Sequence, residues 1–326
     1  KYLPINLGTK WLFSNLASFL QSLHFPSIFN PYDLGLNSCW SLTSKITRII
    51  MTSIVIWKND QSPLNPNLWV VADSRVSDDN RNLIDDATKI FQLPIIIKSP
   101  GKDGFFSNIY FQYSFGYCFA GSTLMGQNSY LSLLPLLSNL VSVESDIPSL
   151  REISNYALNY FQKTFVEYLE VHTINAMFEA SIFGYCHVEK KLQAAHFYPT
   201  SKNEGMRITL KMENFDNGTS FLYLGDEKDL MKDKIYKYME QKTEPGRPNS
   251  RAPRYAIEDA INDDSLKTIG GDIQLGIANS NGFEFYKICK PYEQGKPESY
   301  ISYLGRELTP ELSIIGKTRV GGYSMI

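Results

Sequence analysis

Cysteine is scarce in this chain of 326 residues. Cys39, Cys118, Cys186 and Cys289 stand far apart, with no C-x-x-C among them. That excludes a disulfide scaffold, argues against a zinc ribbon and fits a reducing, cytoplasmic compartment. Long apolar runs are missing too. No stretch of about 18 uninterrupted apolar residues exists, so no membrane-spanning helix is expected. Neither charge dominates: 32 Lys and Arg against 34 Asp and Glu leave a net charge of −2, which speaks against nucleic acid or an anionic membrane as a bulk partner. There is no Gly-rich phosphate loop, and His172, His187 and His196 lack metal-ligand spacing. No cofactor and no metal are expected.

Methionine is also absent from the first fifty residues; the first is Met51. Those fifty residues differ from the rest. They hold four basic groups (Lys1, Lys10, Lys45, Arg48) and one acid, Asp33, whereas the remaining 276 hold 28 basic and 33 acidic groups. A leader peptide, a propeptide removed at Met51–Thr52, and upstream sequence before a start at Met51 are the three readings. The interrupted apolar part between Trp11 and Leu23 disfavours the first. The missing Met and the shift in composition favour the third. Residues 1–51 are therefore set apart as an N-terminal extension. Removal of Met51 would leave Thr52 first, and a terminal Thr carries a hydroxyl nucleophile and an amine base on one residue.

From Thr52 the chain reads as strands, two helices, strands, two helices, strands. Ser53–Trp57 and Leu68–Asp73 are β-branched runs on either side of a Pro/Asn loop. Residues 77–86 read as loop. Ala87–Leu93 and Ile95–Ile97 read as short strands, and Ile109–Gly121 as an aromatic strand. A helix broken at Pro135 is expected over 122–142. Leu150–Val171 carries a clear helical stripe. Phe178–Cys186 with Leu192–Phe197, and Met206–Met212 with Ser220–Leu224 across Asp216-Asn217-Gly218, read as strand pairs. Two further helices cover Leu230–Met239 and the segment from Pro253. Asp272–Ala278 with Gly282–Ile288 is the last pair. Such an order can stack two sheets between helices. Asn217-Gly218-Thr219 matches a glycosylation sequon and is read as a chance turn.

Four strings stand in order: Met51-Thr52-Ser53-Ile54-Val55, Ala72-Asp73-Ser74-Arg75, Ala87-Thr88-Lys89-Ile90 and Phe119-Ala120-Gly121-Ser122-Thr123. Together they resemble the proteasome β-subunit family of N-terminal nucleophile (Ntn) hydrolases, which includes the peptidase of the bacterial heat-shock two-component protease and Anbu-type relatives. Asp73-Ser74-Arg75 looks especially like the Anbu-type members. Each string alone is weak; their order and spacing carry the resemblance, which covers roughly residues 52–125.

That resemblance implies an α+β fold, a four-layer αββα sandwich over residues 52–295, followed by a tail over 296–326. It implies a threonine-type peptidase in which Thr52 Oγ1 attacks an amide carbonyl and its α-amine takes the proton. Lys89, as ammonium, would lower the hydroxyl's pKa, Asp73 would fix Lys89, and backbone N–H groups around Ala120 and Gly121 would hold the oxyanion. Ser53, Arg75, Thr268, Gly270 and Gly271 would support them. It further implies a peptide or unfolded-protein substrate, a homo-oligomeric ring or spiral, and an ATP-driven unfoldase as a partner of some members. One departure stands out. The family's Asp-x-x-Ser-Gly-Gly is here Leu266-Lys267-Thr268-Ile269-Gly270-Gly271, with neither acid nor Ser in register, so that Asp263, Asp264 or Thr268 would substitute only through a shifted loop. Its Gly-Ser-Gly place reads Gly225-Asp226-Glu227. A small-molecule amidase and a catalytically inactive, structural ring subunit are the alternatives.

Overall fold

A computed structural model describes Thr52 to Met325, apart from residues 60, 62–65, 79–80, 203–204, 216–219, 242–247, 293–296 and 322. The N-terminal extension through Met51 and the Asn217 sequon lie outside the described residues.

The chain opens with β1 (Ser53–Asn59) and β2 (Asn67–Ala72), then a small ribbon of β3 (Val76–Asp78) and β4 (Arg81–Ile84). Residues 77–86 were expected as loop; their short strands pair only with each other. β5 (Ile90–Ser99) and β6 (Asn108–Gly121) follow. The break expected inside β5 is absent. Pro94 is tolerated because β5 has a partner on its second side only at Ile97 and Lys98, leaving an open edge where a missing N–H costs nothing. Helix α1 (Thr123–Leu137), β7 (Leu140–Val141) and α2 (Leu150–His172) come next. Pro135 lies inside α1, whose last helical residue is Leu137. Helix α2 begins with a capping box: Ser149 Oγ accepts from Glu152 N–H at 3.2 Å and the Glu152 carboxylate accepts from Ser149 N–H at 2.8 Å, satisfying two terminal donors.

β8 (Phe178–Cys186), β9 (Lys191–Lys202), β10 (Gly205–Asn214) and β11 (Phe221–Gly225) precede α3 (Lys228–Glu240) and α4 (Ala252–Ile261). The chain then forms β12 (Gln274–Asn279), β13 (Gly282–Pro291), β14 (Ser299–Tyr303), β15 (Arg306–Glu307), a single turn α5 (Pro310–Ser313), β16 (Ile314–Ile315), β17 (Thr318–Arg319) and β18 (Tyr323–Met325).

Two large sheets result. One runs β11-β1-β2-β12-β13-β14-β15, with β18 also pairing β13; the other runs β10-β9-β8-β6-β5-β7. β10 and β11, expected as a hairpin, belong to different sheets: β10 pairs β9 and β11 pairs β1. Between them Phe215 is buried in the core where the sheets face each other. An alternating pattern marks a strand but does not say which edge it joins. The residues after 295, expected as a tail without strong periodicity, contain β14, which extends the first sheet beside β13.

The four-layer αββα sandwich is not what forms. Strands take 44% and helices 29% of the structure, and the sheets are curled antiparallel half-barrels. Strand twist explains the curl. β6 is 14 residues long and meets β5 through a register shift at Ile97/Lys98, a bulge of the kind that increases local twist. Among the described residues no helix is long and apolar enough to cross a membrane.

Three groups of buried side chains hold the structure together. Leu150, Ile153, Ala157, Phe161 and Phe165 of α2 pack on the sheet containing β6 and β8. Met231, Ile235, Ala256, Ile257 and Ala260 of α3 and α4 pack on Val55, Trp57, Trp69 and Val71 of the other. Between the sheets, Ile54, Ile56, Leu68, Val70 and Phe283 of one meet Cys118, Ala120 and Phe183 of the other. Phe183 and Phe283, from opposite sheets, make an edge-on ring pair with centroids 5.6 Å apart, a favoured aromatic geometry. Phe283→Ala should therefore cost about 3–5 kcal/mol, read as a lower urea midpoint with an unchanged slope; a loss under about 1 kcal/mol would show that the sheets do not depend on this pair.

Candidate functional site

The site lies where the ends of the two sheets meet. Thr52 precedes β1 and is buried. Its carbonyl accepts from Asp226 N–H at 2.9 Å, just past β11. Gly225 makes that approach possible: it has φ +117°, and a Cβ there would fall 1.9 Å from the Thr52 oxygen. Only glycine fits such a position.

Asp73, at the exit of β2, is the centre. Its side chain is fully buried. Oδ1 accepts from Ser53 N–H at 2.9 Å and from Lys89 Nζ at 2.8 Å. Oδ2 accepts from Gly270 N–H at 3.1 Å and Arg75 N–H at 3.2 Å. One carboxylate thus ties the residue next to Thr52, the lysine before β5 and the 270 loop together. Four donors satisfy a buried charge that would be prohibitively costly alone.

Lys89 is 2% exposed. Burial lowers its pKa below the ordinary lysine value; the Asp73 carboxylate beside it opposes that shift, the Arg75 guanidinium adds to it, and Asp85 weakly opposes it. The direction is downward because desolvation penalises the ammonium.

Ser53 Oγ lies 3.0 Å from Tyr223 Oη, and Tyr223 Oη also bonds the Asp226 carbonyl. Burial pushes the Tyr223 phenol well above its ordinary range. Thr268 Oγ1 donates to Asp226 Oδ2 at 3.1 Å, so the loop that lacked its expected acid and serine still brings a hydroxyl to a carboxylate. Asp263 is turned away, bonded to Ser265 and Lys234. Gly270 binds Asp73 as described, and Gly271 packs against Ser74 and Asp85. Arg75 braces this region from outside, with Nε 2.6 Å from Asp85 Oδ1 and Nη1 3.4 Å from the Ile269 carbonyl.

Ala120 and Gly121 end β6. Phe119 N–H donates to the Lys89 carbonyl, and alternation along a strand turns the Gly121 N–H to the same edge, beyond Ile90, the first residue of β5. Ala120 faces Glu179 of β8. Glu179 in turn bonds His196 Nε2 at 3.1 Å. Both line a polar cleft of about 540 Å³ that Lys228 and Tyr223 also line. Of the residues bonded to the site, the cleft is lined by Tyr223, which meets Ser53.

Thr52, Ser53, Asp73, Arg75, Lys89, Ala120, Gly121, Thr268, Gly270 and Gly271 were expected from the sequence, and the structure gathers Ser53, Arg75, Lys89 and Gly270 on the Asp73 carboxylate. Tyr223 was not singled out, and Asp226 was noted only as a departure. A tyrosine within the strand Ser220–Leu224 carries no marker of its own, because tyrosine is ordinary in strands. Cys118 is buried in β6, its thiol pushed well above the usual range by burial, and His187 packs edge-on against Tyr113 and Tyr185.

No family model matches the chain, and no curated protein matches it. Among solved structures it is similar to a chain of the helical assembly of the Anbu complex from Pseudomonas aeruginosa, at 14% identity and a TM-score of 0.47, with 72% of this chain and 85% of that chain covered. At that identity and TM-score the likeness assigns neither a family nor an activity to this chain.

Proposed function

We propose that the protein is a proteasome-like threonine peptidase that hydrolyses amide bonds with Thr52 as its N-terminal nucleophile. The observation that carries this reading is the shared Asp73 Oδ1, bonded at once to Ser53 N–H and Lys89 Nζ. It supports the reading because one carboxylate links a buried lysine with a lowered pKa to the residue that follows Thr52.

Removal of Met51, or cleavage of the 51–52 bond, exposes the Thr52 amine. Thr52 Oγ1 then attacks the substrate carbonyl carbon while its proton passes to that amine, whose ordinary pKa of about 7.7–8.0 suits the task. Lys89, as the ammonium held by Asp73, lowers the pKa of the Thr52 hydroxyl and helps keep the amine neutral so that it accepts the proton. The carbonyl oxygen becomes an oxyanion, held by the Gly121 N–H. The tetrahedral centre collapses, the C–N bond breaks, and the leaving nitrogen takes the proton from the amine. Water then attacks the ester, releasing the acid and restoring the Thr52 hydroxyl. Asp226 and Thr268 hold the Thr52 end through the Asp226 N–H. The polar cleft beside Tyr223 is of a size that accepts a ligand group and suits a hydrophilic side chain of a peptide.

Mass analysis of the protein expressed from Met51 and as the full chain tests this directly, with and without a threonine-directed β-lactone. The expected result is a chain beginning at Thr52 that gains one adduct, with none in Thr52→Ala. Lys89→Ala should slow adduct formation by roughly 10²–10⁴-fold. A chain that keeps Met51, an unlabelled Thr52, or a Lys89→Ala variant at full rate would sink the proposal.

The lowered Lys89 pKa also makes a stability prediction. The folded state gives up this proton at a lower pH than the unfolded chain, whose lysine titrates near its ordinary value. Between those two values the unfolded state binds more protons, so stability rises with pH. Below both, the contribution is constant and unfavourable. Urea midpoints across the alkaline range should rise for the wild type relative to Lys89→Met, which lacks the titrating group. Parallel curves would show that burial leaves Lys89 unshifted.

A further inference from the structure

We infer that Gln274 is a positioning residue whose side-chain amide sets the Asp73–Lys89 contact, an inference that rests on the role of that pair proposed above. Asp73 leaves a strand of one sheet and Lys89 enters a strand of the other. Their ion pair therefore spans two bodies that could shift against each other, and something must fix the distance between the two backbones.

Gln274, the first residue of β12, does so. It is fully buried, and its backbone pairs with Ala72, the residue before Asp73. Its Nε2 donates to the Asp73 carbonyl at 3.3 Å and to the Ala87 carbonyl at 2.7 Å. Its Oε1 accepts from Lys89 N–H at 3.0 Å and from Ile90 N–H at 3.4 Å. Both donors and the single oxygen are thus spent on the segments that carry the ion pair, two bonds on the Lys89 side coming from consecutive residues. Only asparagine carries the same amide, and it is one methylene shorter; a carboxylate would keep the acceptor and lose both donors, and a methionine or leucine would fill the space with no bond at all.

The surroundings keep the amide dry. The turn between β14 and β15 lies over it, close enough that a Cβ on Gly305 would meet Gln274 Nε2 at 3.1 Å and Ser74 Cβ at 2.4 Å. In such a place each lost bond leaves a buried backbone group unsatisfied, so the segments would move apart to find other partners. Lys89 would then meet its charged neighbours, Asp73, Arg75 and Asp85, at altered distances.

Gln274→Leu and Gln274→Glu in the full chain test this by two readouts. The first is the titration of Lys89, followed by pH-dependent amine modification and mass spectrometry, which needs no activity. The second is the rate and pH profile of Thr52 labelling by the β-lactone. Gln274→Leu should shift the Lys89 titration by about one pH unit or more and slow labelling roughly 10- to 100-fold. Gln274→Glu, which keeps the acceptor, should fall between it and the wild type. If Gln274→Leu does not fold, Gln274→Glu alone must show the shifted titration. A folded variant with the wild-type Lys89 titration and labelling profile overturns the inference and leaves the peptidase reading intact. A wild type that never labels overturns the peptidase reading, and the Lys89 titration still decides the role of Gln274.

Discussion

A carboxylate with no exposure to water has to find its partners inside the protein, and the partners of Asp73 determine much of what surrounds it. Ser53 N–H fixes the start of β1, Lys89 fixes the start of β5, Gly270 N–H fixes the loop before β12, and Arg75 N–H turns the chain out of β2. Arg75 lies two residues from Asp73, but the other three donors lie 16 to 197 residues away along the chain. Closing such loops costs chain entropy, which burial of the apolar cores offsets. Phe183 against Phe283, and Ile54 and Ile56 against Cys118 and Ala120, bring the sheet ends together. The polar site is then a consequence of packing some distance from it.

The direction of dependence also runs back. A buried ion pair is a weak contributor to stability because desolvation offsets most of its attraction. Apolar residues of similar volume at positions 73 and 89 would satisfy the core at least as well. Asp73 and Lys89 are therefore poorly explained by folding alone, and a buried lysine with a lowered pKa paired to a buried carboxylate is the kind of perturbed group that gathers at functional sites. The same contrast separates Arg75 from Lys89. Arg75 is bonded to Asp85 at a half-exposed carboxylate and to loop carbonyls, which suits a brace. Lys89 has no such outlet.

The strands were legible where hydrophobic alternation and β-branched residues coincide, as in β1, β2, β8 and the β12–β13 pair, and α2 was legible from its stripe. What failed were questions of partnership. Met206–Met212 and Ser220–Leu224 look like a hairpin because each alternates and a polar turn separates them; the chain instead crosses from one sheet to the other by burying Phe215. Pro94 reads as a break, and an open edge absorbs it. The curl of the sheets depends on twist summed over many strands, which no local window contains. The site divides the same way. Asp73 and Lys89 stood out by motif, but Tyr223 and Gln274 did not, because a tyrosine or a glutamine among apolar strand residues gives no sign of what its polar atoms meet across the core.

The loop before β12 shows that a contact can form where its expected motif is missing. Read as a string, Leu266 to Gly271 lacks both the acid and the serine, and the natural inference is a lost supporting shell. In three dimensions the acid comes from the end of β11, as Asp226, and the hydroxyl comes from the loop, as Thr268, with 3.1 Å between them. A hydroxyl–carboxylate contact thus adjoins the Thr52 carbonyl, and the string of the loop does not specify which strand supplies which group. A carboxylate at the start of α3 has its own reason to be there, since Asp226 Oδ1 accepts the Glu227 N–H at 2.8 Å where unsatisfied donors of a helix start gather. Glu227 has φ +51° and gives α3 no side-chain cap, so Asp226 helps begin α3 with one oxygen and meets Thr268 with the other. Its backbone N–H, on the Thr52 carbonyl, joins both to the first residue of the site.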